Sequence, residues 1–349
     1  LDLIDIYKKG IDNDIKVKGK INKKTNIAIF LFLILITFFN KQRENTIDSL
    51  IFSNGLFEYK LLKPFEKESV LLFHGKGMRK ITDIINTTTI VSNFSFKQRK
   101  KILIEAMTIF FKKKKDIKYL SFWLEFNFIF KLLNDNKVKD ILVCGHYDRY
   151  TTWLSNIANF KNSEFEILQH GVVGIPNLPH KIFCSKVHGF NESEINKFKK
   201  YIIANDTCQY VNKGFQSHVT FKEYNDENKY IIGIASQYNY AETKQVIDEV
   251  LKIDKDILIA VMLHPRESSK EYRKYKSESN VRIEATRKIS NIDILIVFTS
   301  TLLYDYLYND YNGRIICIQK DDFSFDITND KIIYASSINQ LNEIVRELI

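Results

Sequence analysis

Four of the seven histidines stand just past short apolar runs: His74 after SVLLF, His146 shortly after DILVC, His170 shortly after EFEIL, and His264 directly after ILIAVML. Around them lie residues that bind anions or move protons. Gly145-His146-Tyr147-Asp148-Arg149, Gln169-His170-Gly171, Ser236-Gln237, His264-Pro265-Arg266 and Thr299-Ser300-Thr301 each close an apolar run. An imidazole titrates near working pH, so His170 is a candidate general base for a hydroxyl, with Asp148 as the second candidate. His264 and Arg266 can hydrogen-bond a phosphate, and Pro265 holds His264 extended. Thr299, Ser300 and Thr301 precede the helical run LLYDYL, where hydroxyls and unpaired backbone N–H groups attract an anion. Ser236 and Gln237 complete the candidate phosphate set, while His146, Arg149, Gln169 and Gly171 are expected to line the same cleft. Each reading has a structural counterpart: a packed His170, an Asp148–Arg149 pair capping the next helix, a loop His264 with a solvated Arg266, and a simple N-cap at Thr299–Thr301.

These residues need strands to end in one place, and the rest of the chain supplies them. Short β-rich runs alternate with amphipathic stretches, as in an α/β protein with parallel sheets. In the first half the expected strands are Ser69–Phe73, Thr89–Val91, Asp140–Cys144, Glu164–Leu168 and Lys181–Cys184. Helices are expected over Phe96–Phe111, opened by a Ser95/Gln98 capping box, and over Phe122–Asn134. The second half reads as strands Tyr230–Ile234, Ile257–Leu263, Ile294–Phe298, Arg314–Ile318 and Lys331–Tyr334. Between them fall helices at Tyr240–Lys252, Thr301–Tyr308 and Ile338–Leu348. The polar stretch Val211–Lys229 marks the join, so we expect two Rossmann-like domains facing across a cleft, residues 1–220 and 221–349. Ligands of such folds sit at the carboxyl ends of the strands, where the histidines cluster.

Composition removes other classes. At 349 residues, with 45% hydrophobic and 27% charged residues, the chain is neither disordered, collagen-like nor a coiled coil. The net charge of +10 admits an anionic substrate, membrane or nucleic acid, or a Lys- and Asn-rich composition alone. Its lysines are dispersed, and no RNP, KH or helix-turn-helix pattern stands out. Cys144, Cys184, Cys208 and Cys317 form no CxxC pair, which suits a reducing cytoplasm. The apolar run Ile27–Phe39 between basic flanks would span about 20 Å as a helix, short of the ~30 Å hydrocarbon core. It reads as a buried element or as an interface-lying anchor at the membrane surface. The first residue is Leu1 rather than Met, so a targeting segment ahead of it stays open. P-loop, dinucleotide-fingerprint, HExxH and GxSxG motifs are absent.

The order QHG, HPR and TST, each at an expected strand end, resembles bacterial surface-polysaccharide glycosyltransferases of the GT-B fold. That group includes sialyltransferases and polysialyltransferases, the Kdo transferases of capsule assembly, and the teichoic-acid glycerophosphotransferases; the likeness spans roughly residues 140–310. It implies that His264 and Ser300, with Thr299 or Thr301, hold the donor phosphate on the second domain. The acceptor would then enter from the first domain. The (D/E)(D/E)G motif that supplies the base in the sialyltransferases is absent here, while His170-Gly171 is similar to the HG pair of the glycerophosphotransferases. The implied activity is transfer of a sugar, foremost a CMP-activated acidic sugar such as sialic acid, to a bacterial O-antigen, capsule or lipooligosaccharide. A CDP-polyol phosphotransferase and a non-catalytic basic binding protein are the alternatives. No metal or other cofactor is expected, Asp321-Asp322 having the wrong spacing for a DxD motif. The expected partners are a nucleotide-sugar donor and a glycan or glycolipid acceptor, without nucleic acid. The expected location is the cytoplasm, with contact at the cytoplasmic face of the inner membrane.

Overall fold

The computed structural model describes residues 2–18, 34, 47–53, 61–65, 70–72, 87–89, 93–112, 119–174, 177–215, 219, 221–223, 230–236, 240–253, 256–264, 267–284, 288–309, 311–320, 327 and 329–349. The chain divides into two compact units, Leu1–His170 with Pro176–Lys213, and Gly171–Ile175 with Gly214–Ile349. Gly214 turns with φ 71°, a left-handed conformation that glycine enters without a Cβ penalty.

The first unit is built on a parallel sheet of strands β1 (Ser49–Ser53), β2 (Val70–Leu72), β3 (Thr87–Thr89), β4 (Asp140–Val143), β5 (Glu164–Leu168), β6 (Lys186–Gly189) and β7 (Gln209–Asn212). Their spatial order is β3-β2-β1-β4-β5-β6-β7. Around it lie helices α1 (Leu3–Lys18), α2 (Phe96–Lys112), α3 (Leu120–Asp135), α4 (Arg149–Lys161) and α5 (Glu192–Lys197). The expected capping box opens α2: the Ser95 N–H donates to Gln98 Oε1 at 2.8 Å, and the Gln98 N–H to Ser95 Oγ at 3.3 Å. Helix α1, unforeseen in the sequence, packs on α4, where the Trp153 indole donates to the Tyr7 carbonyl at 3.1 Å. The approach is so close that a Cβ on Gly10 would lie 2.1 Å from the Trp153 ring nitrogen.

The second unit has strands β8 (Phe221–Lys222), β9 (Tyr230–Ala235), β10 (Ile257–Met262), β11 (Val281–Glu284), β12 (Lys288–Ile289), β13 (Ile294–Val297), β14 (Arg314–Ile318) and β15 (Ile332–Ala335). Its main sheet runs β11-β10-β9-β13-β14-β15, all parallel, with β12 and β8 paired separately. That is the 3-2-1-4-5-6 order of a doubly wound fold, with its switch point between β9 and β13. Helices α6 (Tyr240–Val250), α7 (Leu302–Leu307) and α8 (Leu341–Leu348) follow strands in the manner of βαβ units. Every residue of β10 and β13 is buried, as expected of parallel strands covered on both faces, and Ile232, Ile259, Val261, Ile294 and Ile316 share one core with Val246, Ile247 and Val345 from the helices.

Two expectations move. Lys181–Cys184 is no strand: it contributes one bridge, Ile182 to Ile203, and pairing begins instead at Lys186. The strand expected over Thr89–Val91 is described over Thr87–Thr89, starting two residues earlier, while residues 90 and 91 lie outside the described residues. The run Ile27–Phe39 lies outside the described residues apart from Ile34.

Candidate functional site

In the first unit, β4 and β5 are neighbours in register, Val143 opposite Ile167. Their carboxyl ends therefore bring two motif histidines together, His146 and His170, with ring centroids 4.7 Å apart. The His170 ring sits on the β4 exit, its Nδ1 in hydrogen-bond contact with the Cys144 carbonyl. A carbonyl only accepts, so Nδ1 carries the proton, and in the neutral ring the lone pair is on Nε2. That is the tautomer a general base needs. The His170 backbone N–H points at His146 Nε2, 3.4 Å away. His146 is buried against the Phe198 ring, and burial, seconded by His170, holds it well below its ordinary pKa. It is a neutral wall to the site.

Arg149 and Gln169 turn away from this end, whereas Asp148 stays beside Gly145 at the β4 exit. Asp148 is the N-cap of α4, its Oδ1 accepting the Thr151 N–H at 2.9 Å. Arg149 reaches inward to Asp14 Oδ2 at 2.7 Å and Glu125 Oε2 at 3.4 Å, and donates to the Tyr150 hydroxyl at 2.6 Å. Its guanidinium lies over the Phe122 ring at 4.2 Å. Burial raises the Glu125 carboxyl above its ordinary value against the pull of Arg149. Arg149 thus ties α1, α3 and α4 together. Gln169 is also internal: its Oε1 accepts the Phe190 N–H and its Nε2 donates to Glu194, both at 2.7 Å, fixing β5 to the start of α5. Gly171 does not use a left-handed φ, which among described glycines is seen only at Gly214.

In the second unit three adjacent strands end together. The register Ala235↔Met262 and Ile234↔Ile296 places Ser236 between His264 on one side and Thr299–Thr301 on the other. Their organiser is Glu267, a residue beyond the reach of the strand-end motifs. Its carboxylate accepts the Ser236 hydroxyl, the His264 N–H at 3.1 Å and the Tyr272 hydroxyl at 3.0 Å. The His264 N–H also donates to Ser236 Oγ at 2.8 Å. The turn is closed by the Glu267 N–H on the His264 carbonyl at 2.9 Å. His264 is thereby held by its backbone, its ring half-buried at the strand end. A second unforeseen group is Lys288: burial lowers its amine below the ordinary value while Asp305 and Glu267 pull it up. A cation and two carboxylates thus share this end of the sheet.

Ser300 Oγ accepts the Leu302 N–H at 3.2 Å, so the Thr-Ser-Thr turn does cap α7. Thr301 itself is already helical and makes no side-chain cap. His74, Gln237, Pro265, Arg266, Asp321 and Asp322 lie outside the described residues. Among the described residues no group of three His, Cys, Asp or Glu is placed to hold a metal ion. No described helix is long and apolar enough to cross a membrane. A cavity of about 880 Å³ opens at the other end of the second sheet beside Asp293 and Arg314. Two of its polar groups are engaged in the fold: Asp293 Oδ2 accepts the Ile231 N–H at 2.7 Å, and Arg314 donates to the Asp330 carbonyl at 2.8 Å.

No protein-family model and no curated protein matches the chain. Solved structures do. Anabaena HepE in complex with UDP-glucose superposes with a TM-score of 0.52 at 9% identity, over 85% of this chain and 88% of that one. The lipopolysaccharide outer core galactosyltransferase WaaB, in its apo form, gives 0.50 at 10% identity, over 86% and 89%. At such identities the likeness is one of fold, and it agrees with the strand orders: the chain has the GT-B architecture of two Rossmann-like domains.

Proposed function

We propose that the protein is a nucleotide-sugar-dependent glycosyltransferase. The observation that carries this reading is the meeting of three strand ends at the switch point of the second sheet, where Ser236, His264 and Thr299–Thr301 surround the position that doubly wound folds give to a nucleotide phosphate. The shared architecture supports it, since HepE was solved with UDP-glucose. The second unit would hold the donor's phosphate through His264, Ser300 and the neighbouring Thr299 and Thr301.

The first unit would supply the base. The acceptor hydroxyl loses its proton to His170 Nε2 and its oxygen bonds to the anomeric carbon. The bond from that carbon to the phosphate oxygen breaks, and the electron pair leaves with the nucleotide. Stabilising that leaving group is the chief electrostatic task, because negative charge builds on the phosphate as an oxocarbenium-like sugar forms. No step is assigned to a metal ion, so chelation is expected to leave turnover unchanged.

The QHG, HPR and TST order favours a CMP-activated acidic sugar such as sialic acid, moved to a bacterial surface glycan. A thermal-shift screen of CMP, CDP, UDP and GDP tests both levels of the proposal. A bound nucleotide at ~100 times its Kd stabilises by about 2.7 kcal/mol. CMP is expected to give the largest shift. A shift with UDP alone replaces the donor and keeps the transferase; a shift with none removes the reading. A CDP-selective shift points to the CDP-polyol phosphotransferase.

A further inference from the structure

Cys184 and Cys208 are remote in the sequence and neighbours where the first sheet begins its last two strands. β6 and β7 pair with Lys186 opposite Gln209, and the Gln209 N–H donates to the Ser185 carbonyl at 2.9 Å. Cys208 therefore stands opposite Ser185, with Cys184 one residue upstream. Strands of a sheet lie about 4.8 Å apart and rise about 3.3 Å per residue, so a one-residue offset separates two Cα atoms by about 6 Å, inside the span that a disulfide bridges. Asn205 holds both backbones in this place. Its Oδ1 accepts the Cys184 N–H and its Nδ2 donates to the Cys184 carbonyl, both at 2.9 Å, while its own carbonyl accepts the Cys208 N–H at 3.5 Å. The two side chains meet through a hydrogen bond between their free thiols.

The pair is unequal. Cys184 is 3% exposed, with the Phe165 carbonyl 3.2 Å and the Lys186 carbonyl 3.1 Å from its Sγ. Burial, seconded by Cys208, pushes its thiol well above the ordinary value. Cys208 is 7% exposed and lies on the edge strand between the exposed Thr207 and Gln209. The hydrogen bond of Cys184, helped by that of Tyr210, draws its thiol below the ordinary value against the effect of burial. One sulfur is thus the better nucleophile, and the other waits beside it.

We propose that Cys184 and Cys208 form a peroxide-oxidisable dithiol that closes to an intramolecular disulfide and fastens the edge strand β7 to β6. The Cys208 thiolate attacks hydrogen peroxide: an S–O bond forms, the O–O bond breaks, and the departing hydroxide takes a proton to become water. The Cys184 sulfur then attacks the sulfenic sulfur of Cys208, the S–S bond forms as the S–O bond breaks, and a second water leaves with the Cys184 proton. Two thiols are oxidised and one peroxide is reduced. A resting dithiol with a transient bridge is the form such pairs take in a reducing compartment. β7 is the last strand before the chain passes through Lys213 and Gly214 into the second unit, so the bridge would fix the strand next to that passage. The inference does not rest on the glycosyl-transfer reading, and its test reads thiols and melting rather than turnover.

The experiment is treatment of the full chain, reduced and then freed of reductant, with excess hydrogen peroxide, read by thiol counting, peptide mapping and melting. In the wild type the four thiols are expected to fall to two, with the peptides of Cys184 and Cys208 joined and Cys144 and Cys317 still reduced; dithiothreitol should restore all four. The bridged chain is expected to melt about 5 °C higher, because a cross-link restricts the unfolded ensemble. Cys184→Ser leaves the sulfenic acid without its partner, so dimedone is expected to label Cys208. Cys208→Ser is expected to lose thiol about tenfold more slowly, or slower still, and to give no dimedone adduct at Cys184. If a variant does not fold, the wild-type peptide map alone decides. The proposal is overturned if the folded wild type keeps four thiols, if the bridge joins other cysteines or forms only after unfolding, if Cys208→Ser loses thiol as fast as the wild type, or if the bridged chain melts no higher than the reduced one.

Discussion

The two motif histidines His170 and His264 reach strand ends by opposite means. His170 is fixed through its ring, Nδ1 against the Cys144 carbonyl, so its chemistry lies in the remaining ring nitrogen. His264 is fixed through its backbone N–H, which is shared by Ser236 Oγ and the Glu267 carboxylate. One arrangement selects a tautomer; the other shapes a turn. The same residue type at the strand ends of two parallel sheets is thus held in two ways, through its ring in the first unit and through its backbone in the second.

The largest break in that comparison is His170→Ala. General-base catalysis typically contributes about 10²–10⁴-fold, so turnover is expected to fall by that much while the nucleotide-induced thermal shift persists. If turnover survives, the fixed tautomer is structural only, and the contrast between the two histidines disappears. Glu267→Ala attacks the other side. It leaves the Ser236 hydroxyl, the Tyr272 hydroxyl and the His264 N–H without their shared acceptor. Lost hydrogen bonds to a charged group cost about 1.5–3 kcal/mol each, and they are not additive within one network, so a total of about 2–4 kcal/mol is expected from denaturant unfolding. Nucleotide affinity should fall with it, and His170-dependent chemistry on bound substrate should not. A Glu267→Ala protein with unchanged affinity would separate the turn from the binding site.

How far the sequence reached follows from the same contrast. The core strands were legible because β9, β10, β13 and β14 are unbroken runs rich in Ile, Leu and Val that must be buried on both faces. At the edge of the first sheet the signal fades: β7 is Gln-Tyr-Val-Asn, mostly exposed, and β6 is Lys-Val-His-Gly, so KIFC looked the better strand. His146, His170, Ser236 and His264 do stand just past β4, β5, β9 and β10, yet a strand end gives no direction for a side chain. Gln169 and Arg149 stand at the same ends and turn inward, because Phe190 and Glu194, and Asp14 and Glu125, offer partners that are distant in sequence. Glu267 escaped notice because it belongs to the returning turn, not to the strand end, and Lys288 because its neighbours Asp305 and Glu267 gather only on folding.

A smaller effect sharpens the first unit's half of the comparison. His146 is kept neutral by burial, its ring centroid 4.7 Å from that of His170. The unfolded chain takes up a proton at the ordinary value of 6.5, whereas the fold resists it until well below that. The stabilisation is therefore fully present above pH 6.5 and is lost progressively as pH falls below it. His146→Phe is expected to flatten this part of the stability–pH curve measured by urea unfolding. An unaltered slope would assign it to other groups, and Glu166 is separated from this window by its acidity. That carboxyl is held below its ordinary value by its hydrogen bond from His188, and its contribution is lost at more acidic pH, as the carboxylate protonates.

The smallest expected change is at Asp148, and it decides which residue is the base. The carboxylate caps α4 through the Thr151 N–H, and an aspartate cap replaced by alanine costs about 0.5–2 kcal/mol. Asparagine caps helices about as well as aspartate but has no carboxylate with which to take a proton. Asp148→Asn therefore keeps the helix start and removes the chemistry. If Asp148 serves only the helix, this variant melts within a degree or two of the wild type and turns over within a few-fold of it, while Asp148→Ala is less stable without a matching loss of turnover per folded molecule. If Asp148→Asn folds and binds nucleotide but loses about a hundredfold or more in turnover, the base is Asp148, and His170 with its fixed tautomer becomes the neighbour that orients the acceptor. The pair of variants separates the cap from the base because only one of the two roles needs a negative charge.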